Sequence, residues 1–173
     1  SGLPIDEPKT IIDVGCGPGT IPIALLDVFP EATIVGYDLS GEMIKLAEQK
    51  KSKLPIDKQK RISFTTKQPK KTFDLVVSIW TLHHQDNDIE AKKFINELHT
   101  LRKPNKKSTL VLLDFVRPFS VLQTKMMSFI LGLCWPKGFR QEYYQSLRAS
   151  FSKQEVLRFF KKKVKDFVQI AFY

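Results

Sequence analysis

The chain has 173 residues, 28 of them basic and 18 acidic, giving a formal charge of +10, with 42% hydrophobic and 11% aromatic side chains. That length suits one domain with a sizeable core, and the apolar fraction excludes a disordered chain. Cys16 and Cys134 are too few for a disulfide scaffold and no Cys/His cluster has zinc spacing, so a cytoplasmic protein without a metal site is expected.

The charge is uneven. Residues 1–101 hold 13 basic and 14 acidic side chains, whereas residues 102–173 hold 15 and 4. The second part therefore points to an anionic partner, which could be nucleic acid, a lipid headgroup or an acidic substrate; a Lys-rich solvated surface is the plainer alternative. The opening Ser1-Gly2-Leu3-Pro4 has no initiating Met and no basic-then-apolar leader.

In chain order, Thr10 to Val14 reads as a strand that runs into a Gly-rich turn. A helix follows from Ile21 to Phe29, with Pro22 tolerated in its first turn, and Pro30 ends it. Ala32 to Tyr37 is a second strand. Ser40 can cap the next helix, with Glu42 in its first turn and Pro55 as its limit. Arg61 to Thr65 and Phe73 to Ile79 are strands, the latter apolar enough to be buried on both faces. Asp88 to Leu101 carries a helical stripe of Ile89, Phe94, Ile95, Leu98 and Leu101, and Ser108 to Asp114 is a fifth strand. Strands alternating with helices imply an α/β fold with a doubly wound, mostly parallel sheet.

The pattern then changes. Val116 to Trp135 is apolar but interrupted by Gln123, Lys125 and serines, short of the roughly 20 clean apolar residues that span a bilayer. Residues 116–150 are expected to form a helical lid over the sheet edge, with peripheral contact to a membrane as the alternative. Ser152 to Lys162 is a helix with Ser152 as N-cap and Glu155 completing a capping box, and Val164 to Phe172 is a closing strand whose partner hairpin is shortened. Residues 1–173 read as a single domain.

The chemistry concentrates in Asp13-Val14-Gly15-Cys16-Gly17-Pro18-Gly19-Thr20. Glycines at i, i+2 and i+4 between a strand and a helix let a ligand touch the backbone. A dinucleotide fingerprint spaces its third glycine differently and seats a pyrophosphate. Here the Asp13 carboxylate would repel a pyrophosphate and suit a cationic ligand. Asp38, at the end of the second strand, sits where doubly wound folds grip a ribose diol. With Ser40 available as the cap, Asp38 is free for that work.

On these residues the chain resembles the class I S-adenosylmethionine-dependent methyltransferases of small molecules, whose fold is Rossmann-like. Asp13 to Gly19 resembles that family's first motif, Asp38-Leu39-Ser40 its ribose-binding position, and Phe73 to Ser78 with Leu82-His83-His84 its fourth-strand motif. Asp114 to Pro118 and Ser146 to Ser152 resemble the late region of a small-molecule branch. The resemblance implies S-adenosyl-L-methionine as cofactor. It implies that Gly15, Cys16, Gly17 and Gly19 line its methionine and ribose portion, and that Asp13 faces its amino group through water. Asp38 would hold the ribose hydroxyls and Leu39 would pack on adenine, with Ser78 and Trp80 shaping the sulfonium pocket. The family's acidic residue after the third strand is missing from Phe64-Thr65-Thr66-Lys67-Gln68-Pro69. Adenine would then fall to Thr66, Gln68 or backbone, and cofactor binding weaker than the family's usual is expected.

Methyl transfer from a sulfonium is an in-line displacement, and a base is needed only when the acceptor carries a proton. His83 and His84, after the fourth strand, are the candidates for such a base, since imidazole titrates near neutrality. His99, on a helix, is expected to be structural. Asp114 at the end of the fifth strand and Tyr143 are candidate substrate contacts. The expected activity is methyl transfer to a small or lipid-like acceptor. An RNA-modifying enzyme using the basic second part is an alternative, although the base-amine motif and a usable catalytic Cys are absent. A cofactor-binding or membrane-associated protein without catalysis is the other.

Overall fold

The computed structural model describes residues 7–104, 108–117, 137–160 and 168–171, together with positions 120, 122, 125, 126 and 129. Six parallel strands form one sheet in the order β3-β2-β1-β4-β5-β6. They are β1 (Thr10–Val14), β2 (Thr33–Tyr37), β3 (Ile62–Thr65), β4 (Leu75–Ile79), β5 (Thr109–Leu113) and β6 (Val168–Ala171). The helices are α1 (Thr20–Val28), α2 (Gly41–Lys51), α3 (Ile56–Arg61), α4 (Asp88–Thr100), α5 (Lys137–Ala149) and α6 (Lys153–Phe159). A 3-10 turn, Leu82–His84, follows β4. The strand order reverses between β1 and β4, which opens a crevice at the carboxyl ends of those strands.

Parallel strands are covered on both faces, so successive side chains of one strand enter two different cores. Ile12, Val14, Val35, Val76, Leu110 and Leu112 meet α4 and α6 on one face, and Ile11, Ile34, Ile62, Leu75 and Val77 meet α1 on the other. Each such side chain, fully buried, contributes about 1.5–3 kcal/mol. The stripe of α4 is Ala91, Phe94, Ile95 and Leu98, while Ile89 is exposed. Ile89 was expected in that stripe, but at two residues before Ala91 it lies on the opposite side of the helix.

The connection from β3 to β4, residues 66–74, crosses the sheet without a helix. At its far end Asp74 joins two strands: it accepts from the Thr10 backbone N–H (2.9 Å) and hydroxyl (2.8 Å) and from Lys103 (2.7 Å). Burial would raise this carboxyl, but those donors outweigh it and hold it below the ordinary range. The helix α3 is an element that charge-rich Ile56-Asp57-Lys58-Gln59-Lys60-Arg61 did not announce; Pro55 starts it and Lys58 pairs with Asp27. Of the expected closing strand Val164 to Phe172, residues 168–171 are described and pair in parallel with β5, the rest lying outside the described residues, and all pairings described are parallel. Most of the expected lid between 118 and 136 lies outside the described residues. Among the described residues no helix is long and apolar enough to cross a membrane.

Candidate functional site

The turn after β1 is held against the end of β2. The Gly15 and Cys16 N–H groups both donate to the Tyr37 carbonyl, at 2.8 and 3.1 Å. Gly15, Gly17 and Gly19 all adopt positive φ, at 76°, 51° and 76°. Their surroundings differ. A Cβ on Gly15 would lie 2.3 Å from Thr81 and one on Gly19 2.8 Å from the Phe64 ring, whereas one on Gly17 would meet nothing within 4 Å. Gly15 and Gly19 thus make room for protein, and Gly17 makes room for something else. Gly19 is also the N-cap of α1 and supplies no side-chain cap, so the first N–H groups of that helix keep their polarity for the crevice.

Asp38 ties this turn to the start of α2. Its Oδ2 accepts from Gly17 N–H (2.8 Å) and its Oδ1 from Ser40 N–H (2.9 Å). Ser40 caps α2, its hydroxyl accepting from Met43 N–H. Asp13 is only 1% exposed, and its Oδ1 has no hydrogen-bond partner. Burial, with Asp38 adding to it, pushes the Asp13 carboxyl up to about 7.

A cavity of about 660 Å³ opens beside the turn. Val14, Gly15, Gly17, Tyr37, Asp38, Leu39 and Met43 form one side, Trp80, Thr81, His84 and Gln85 another, and Glu90, Lys93, Phe94 and Glu97 of α4 the third. Of the residues expected from sequence to bind the cofactor, Gly15, Gly17, Asp38, Leu39 and Trp80 line it. Cys16 does not: its side chain is buried under the turn, and its thiol donates to the Gly17 carbonyl. Gly19 is spent on packing, and the buried Ser78 hydroxyl donates to the Val14 carbonyl (3.0 Å), locking β4 to β1. Thr66 and Gln68 are exposed and do not line the cavity. The other carboxylates on its wall besides Asp38 are Glu90 and Glu97 of α4. Glu90, Lys93 and Glu97 share one helix face, a spacing readable in the sequence, but nothing there says that this face meets the cavity beside Tyr37 and Asp38. Burial raises the Glu97 carboxyl, with Lys93 opposing.

The two histidines separate. His83 is buried, and its Nδ1 lies 2.7 Å from Oδ1 of Asp114, whose Oδ2 accepts from the His83 N–H (3.1 Å). Asp114 Oδ1 also accepts from Phe115 N–H (2.7 Å). Asp114 was expected to touch substrate; it is buried and engaged with His83 instead. His84 is exposed to the cavity, its ring 4.1 Å from that of His83. Tyr143, the other expected substrate contact, is buried and meets Phe115 edge-on at 5.5 Å. Trp80 stacks on Phe115 at 5.8 Å. His99 packs edge-on against Phe160 in the core, as a structural residue would.

A family model described as a methyltransferase domain matches residues 11–105. A malonyl-[acyl-carrier protein] O-methyltransferase of Halalkalibacterium halodurans is 34% identical over 108 residues, 58% of this chain and 37% of that protein. A trans-aconitate 2-methyltransferase of Azoarcus sp. is 43% identical over 47 residues, 27% of this chain and 19% of that protein. The plantazolicin methyltransferase BpumL, solved in complex with SAH, superposes with a TM-score of 0.68 at 20% identity, covering 91% of this chain and 56% of that one. Magnesium protoporphyrin IX methyltransferase from Synechocystis PCC 6803 gives 0.60 at 21%, covering 87% and 61%. The chain spans less than two thirds of the length of each, and the structural likeness is one of fold.

Proposed function

The chain belongs to the methyltransferase-domain family, and on that premise we propose that it transfers the methyl group of S-adenosylmethionine to a small or amphipathic acceptor, in the cytoplasm. The observation that carries this reading is Gly17: a left-handed backbone position with open space above it, bonded to Asp38 at the floor of a 660 Å³ cavity. A cofactor bound there supplies a methyl group on a positively charged sulfur, ready for in-line displacement.

The residues present fit that group. Each Asp38 oxygen holds one backbone N–H and keeps a lone pair for a ribose hydroxyl. Asp13 has a buried oxygen without a partner, which an amino group would satisfy through water. Leu39 is 82% exposed, and a flat base covering it and Met43 would remove that apolar surface from water. Glu97 is placed to accept from an exocyclic amine. It would take over from the missing carboxylate after β3. With no strand-end carboxylate after β3, a dissociation constant above the low-micromolar range is expected. Trp80 and Thr81 form the wall where the sulfur would lie. Cys16, Gly19 and Ser78 support this surface from behind.

Calorimetry with S-adenosylhomocysteine tests the reading. One site per chain is expected, with binding lost in D38A and no uptake of NAD. A protein that ignores the nucleoside, or that takes NAD in its place, overturns the proposal.

A further inference from the structure

One wall of the cavity is built differently from the rest. Trp80, at the end of β4, is the described non-glycine residue with positive φ, at 55°. Tryptophan adopts that region only against steric strain between its Cβ and the backbone, and such strain persists where the surroundings enforce it, as functional sites do. Here the enforcement is visible. The Trp80 N–H donates to the Leu113 carbonyl (2.8 Å), and its ring lies 2° from parallel with that of Phe115. The outcome is a large ring held 55% exposed at the cavity edge rather than folded into the core.

Beside Trp80 is His84, and behind His84 is a rigid support. Asp114 accepts from the His83 backbone, faces His83 Nδ1 at 2.7 Å and is itself fixed by Phe115 N–H. A carboxylate at Nδ1 keeps the proton on that nitrogen and sets the ring orientation. The His83 ring, tilted by 40°, lies with its centroid 4.1 Å from that of His84, the one of the pair that lines the cavity.

Resting on the methyl-transfer reading above, we infer that the Trp80–His84 wall is the acceptor site, that it takes a flat apolar molecule bearing a hydroxyl, and that His84 removes the hydroxyl proton. Asp114 and His83 are positioning residues that act through His84. In the step, the hydroxyl oxygen forms a bond to the methyl carbon while the carbon–sulfur bond breaks and its electron pair leaves with sulfur. The proton passes to the His84 imidazole and from there to water. Burial, and then His83, lowers the His84 pKa below its ordinary value, while Asp114 of the β5 end and Asp38 of the β2 end raise it. Glu90, Lys93 and Glu97 of α4 face the same cavity. The net lowering keeps the imidazole neutral, and so able to accept, at pH 7.

The test uses two probes of one shape: 2-naphthol, protonated at neutral pH, and 2-naphthoate, already ionised. S-Adenosylhomocysteine binding is measured first by calorimetry, so a protein that fails there overturns the proposed function and not this inference. In protein loaded with S-adenosylhomocysteine, 2-naphthol should shift the His84 imidazole NMR signals, and W80A should abolish that shift. With labelled S-adenosylmethionine, methylation of 2-naphthol should fall about a hundredfold in H84Q, the scale of a lost general base. The rate should rise with pH up to the His84 pKa and then level. D114N, which removes the charge that raises His84, should move that rise to lower pH, a displacement that mere loosening of the fold would not produce. The inference is overturned if 2-naphthol leaves the His84 signals unmoved. It is also overturned if 2-naphthoate is methylated as fast as 2-naphthol, or if H84Q keeps the rate.

Discussion

Gly15 and Gly17 share a backbone conformation and differ in their neighbours, so the same substitution should separate folding from binding. In G15A the new methyl would meet Thr81, whose hydroxyl is already committed to the Ile79 carbonyl at 3.1 Å. With the strain of positive φ added to overpacking, a loss of about 2–3 kcal/mol is expected. In G17A only the backbone term of about 1 kcal/mol applies, but the methyl projects into the cavity, and affinity for S-adenosylhomocysteine should drop at least tenfold. Thermal unfolding and calorimetry on both variants check the contrast. Asp13 makes a second prediction. Its carboxyl titrates near 7 in the fold instead of near 3.8, so it favours the folded state fully below the lower value and loses that contribution as pH rises through the higher one. D13N lacks this loss. Its melting temperature relative to the parent should therefore climb between pH 4 and pH 8, while its affinity for S-adenosylhomocysteine falls; a difference that stays flat with pH would refute the placement of Asp13.

Among the elements, α6 is a short helix whose start is secured by side chains. Ser152 accepts from Glu155 N–H while Glu155 accepts from Ser152 N–H, and Arg117 pairs with the same carboxylate. Removing the cap in S152A should cost about 1 kcal/mol, seen as a fall of a few degrees in melting temperature. E155Q should show part of it, because hydrogen bonds and Arg117 hold that carboxyl below its ordinary range. This capping box was legible in the sequence, as were all five leading strands and the helices α1, α2 and α4 to within a few residues, because periodicity and caps are local. The helix α3 was missed because six mostly charged residues carry no apolar stripe, and the place of Ile89 because a stripe can be drawn through a helix in more than one way.

At the scale of the molecule, the site depends on which elements become neighbours. Gly17, Asp38 and Leu39 could be named from sequence because a strand-end turn places them wherever the fold is doubly wound. The α4 wall could not, since it exists only where the fold brings Glu97 to the cavity beside Tyr37 and Asp38; burial, then Glu97 and Asp38, raise the Tyr37 hydroxyl. Likewise the Asp114–His83 pair joins residues 31 apart in the chain, and no spacing rule announces it. One prediction belongs at this scale. E97Q should leave the fold as stable or slightly more so, because burial disfavours the charged carboxyl. It should nevertheless weaken S-adenosylhomocysteine binding about tenfold, the scale of a hydrogen bond to a charged group; unchanged calorimetric affinity would remove Glu97 from the adenine pocket.

The turn after β1 is also a roof over a sulfur atom. Cys16 is buried beneath it, and burial, with Asp13 and then Asp38 nearby, pushes its thiol well above the ordinary range. Peroxide and alkylating agents act on the thiolate and need access to it. Damage at this position must therefore wait for the roof to lift, and a nucleoside that pressed the roof shut would slow oxidation of Cys16.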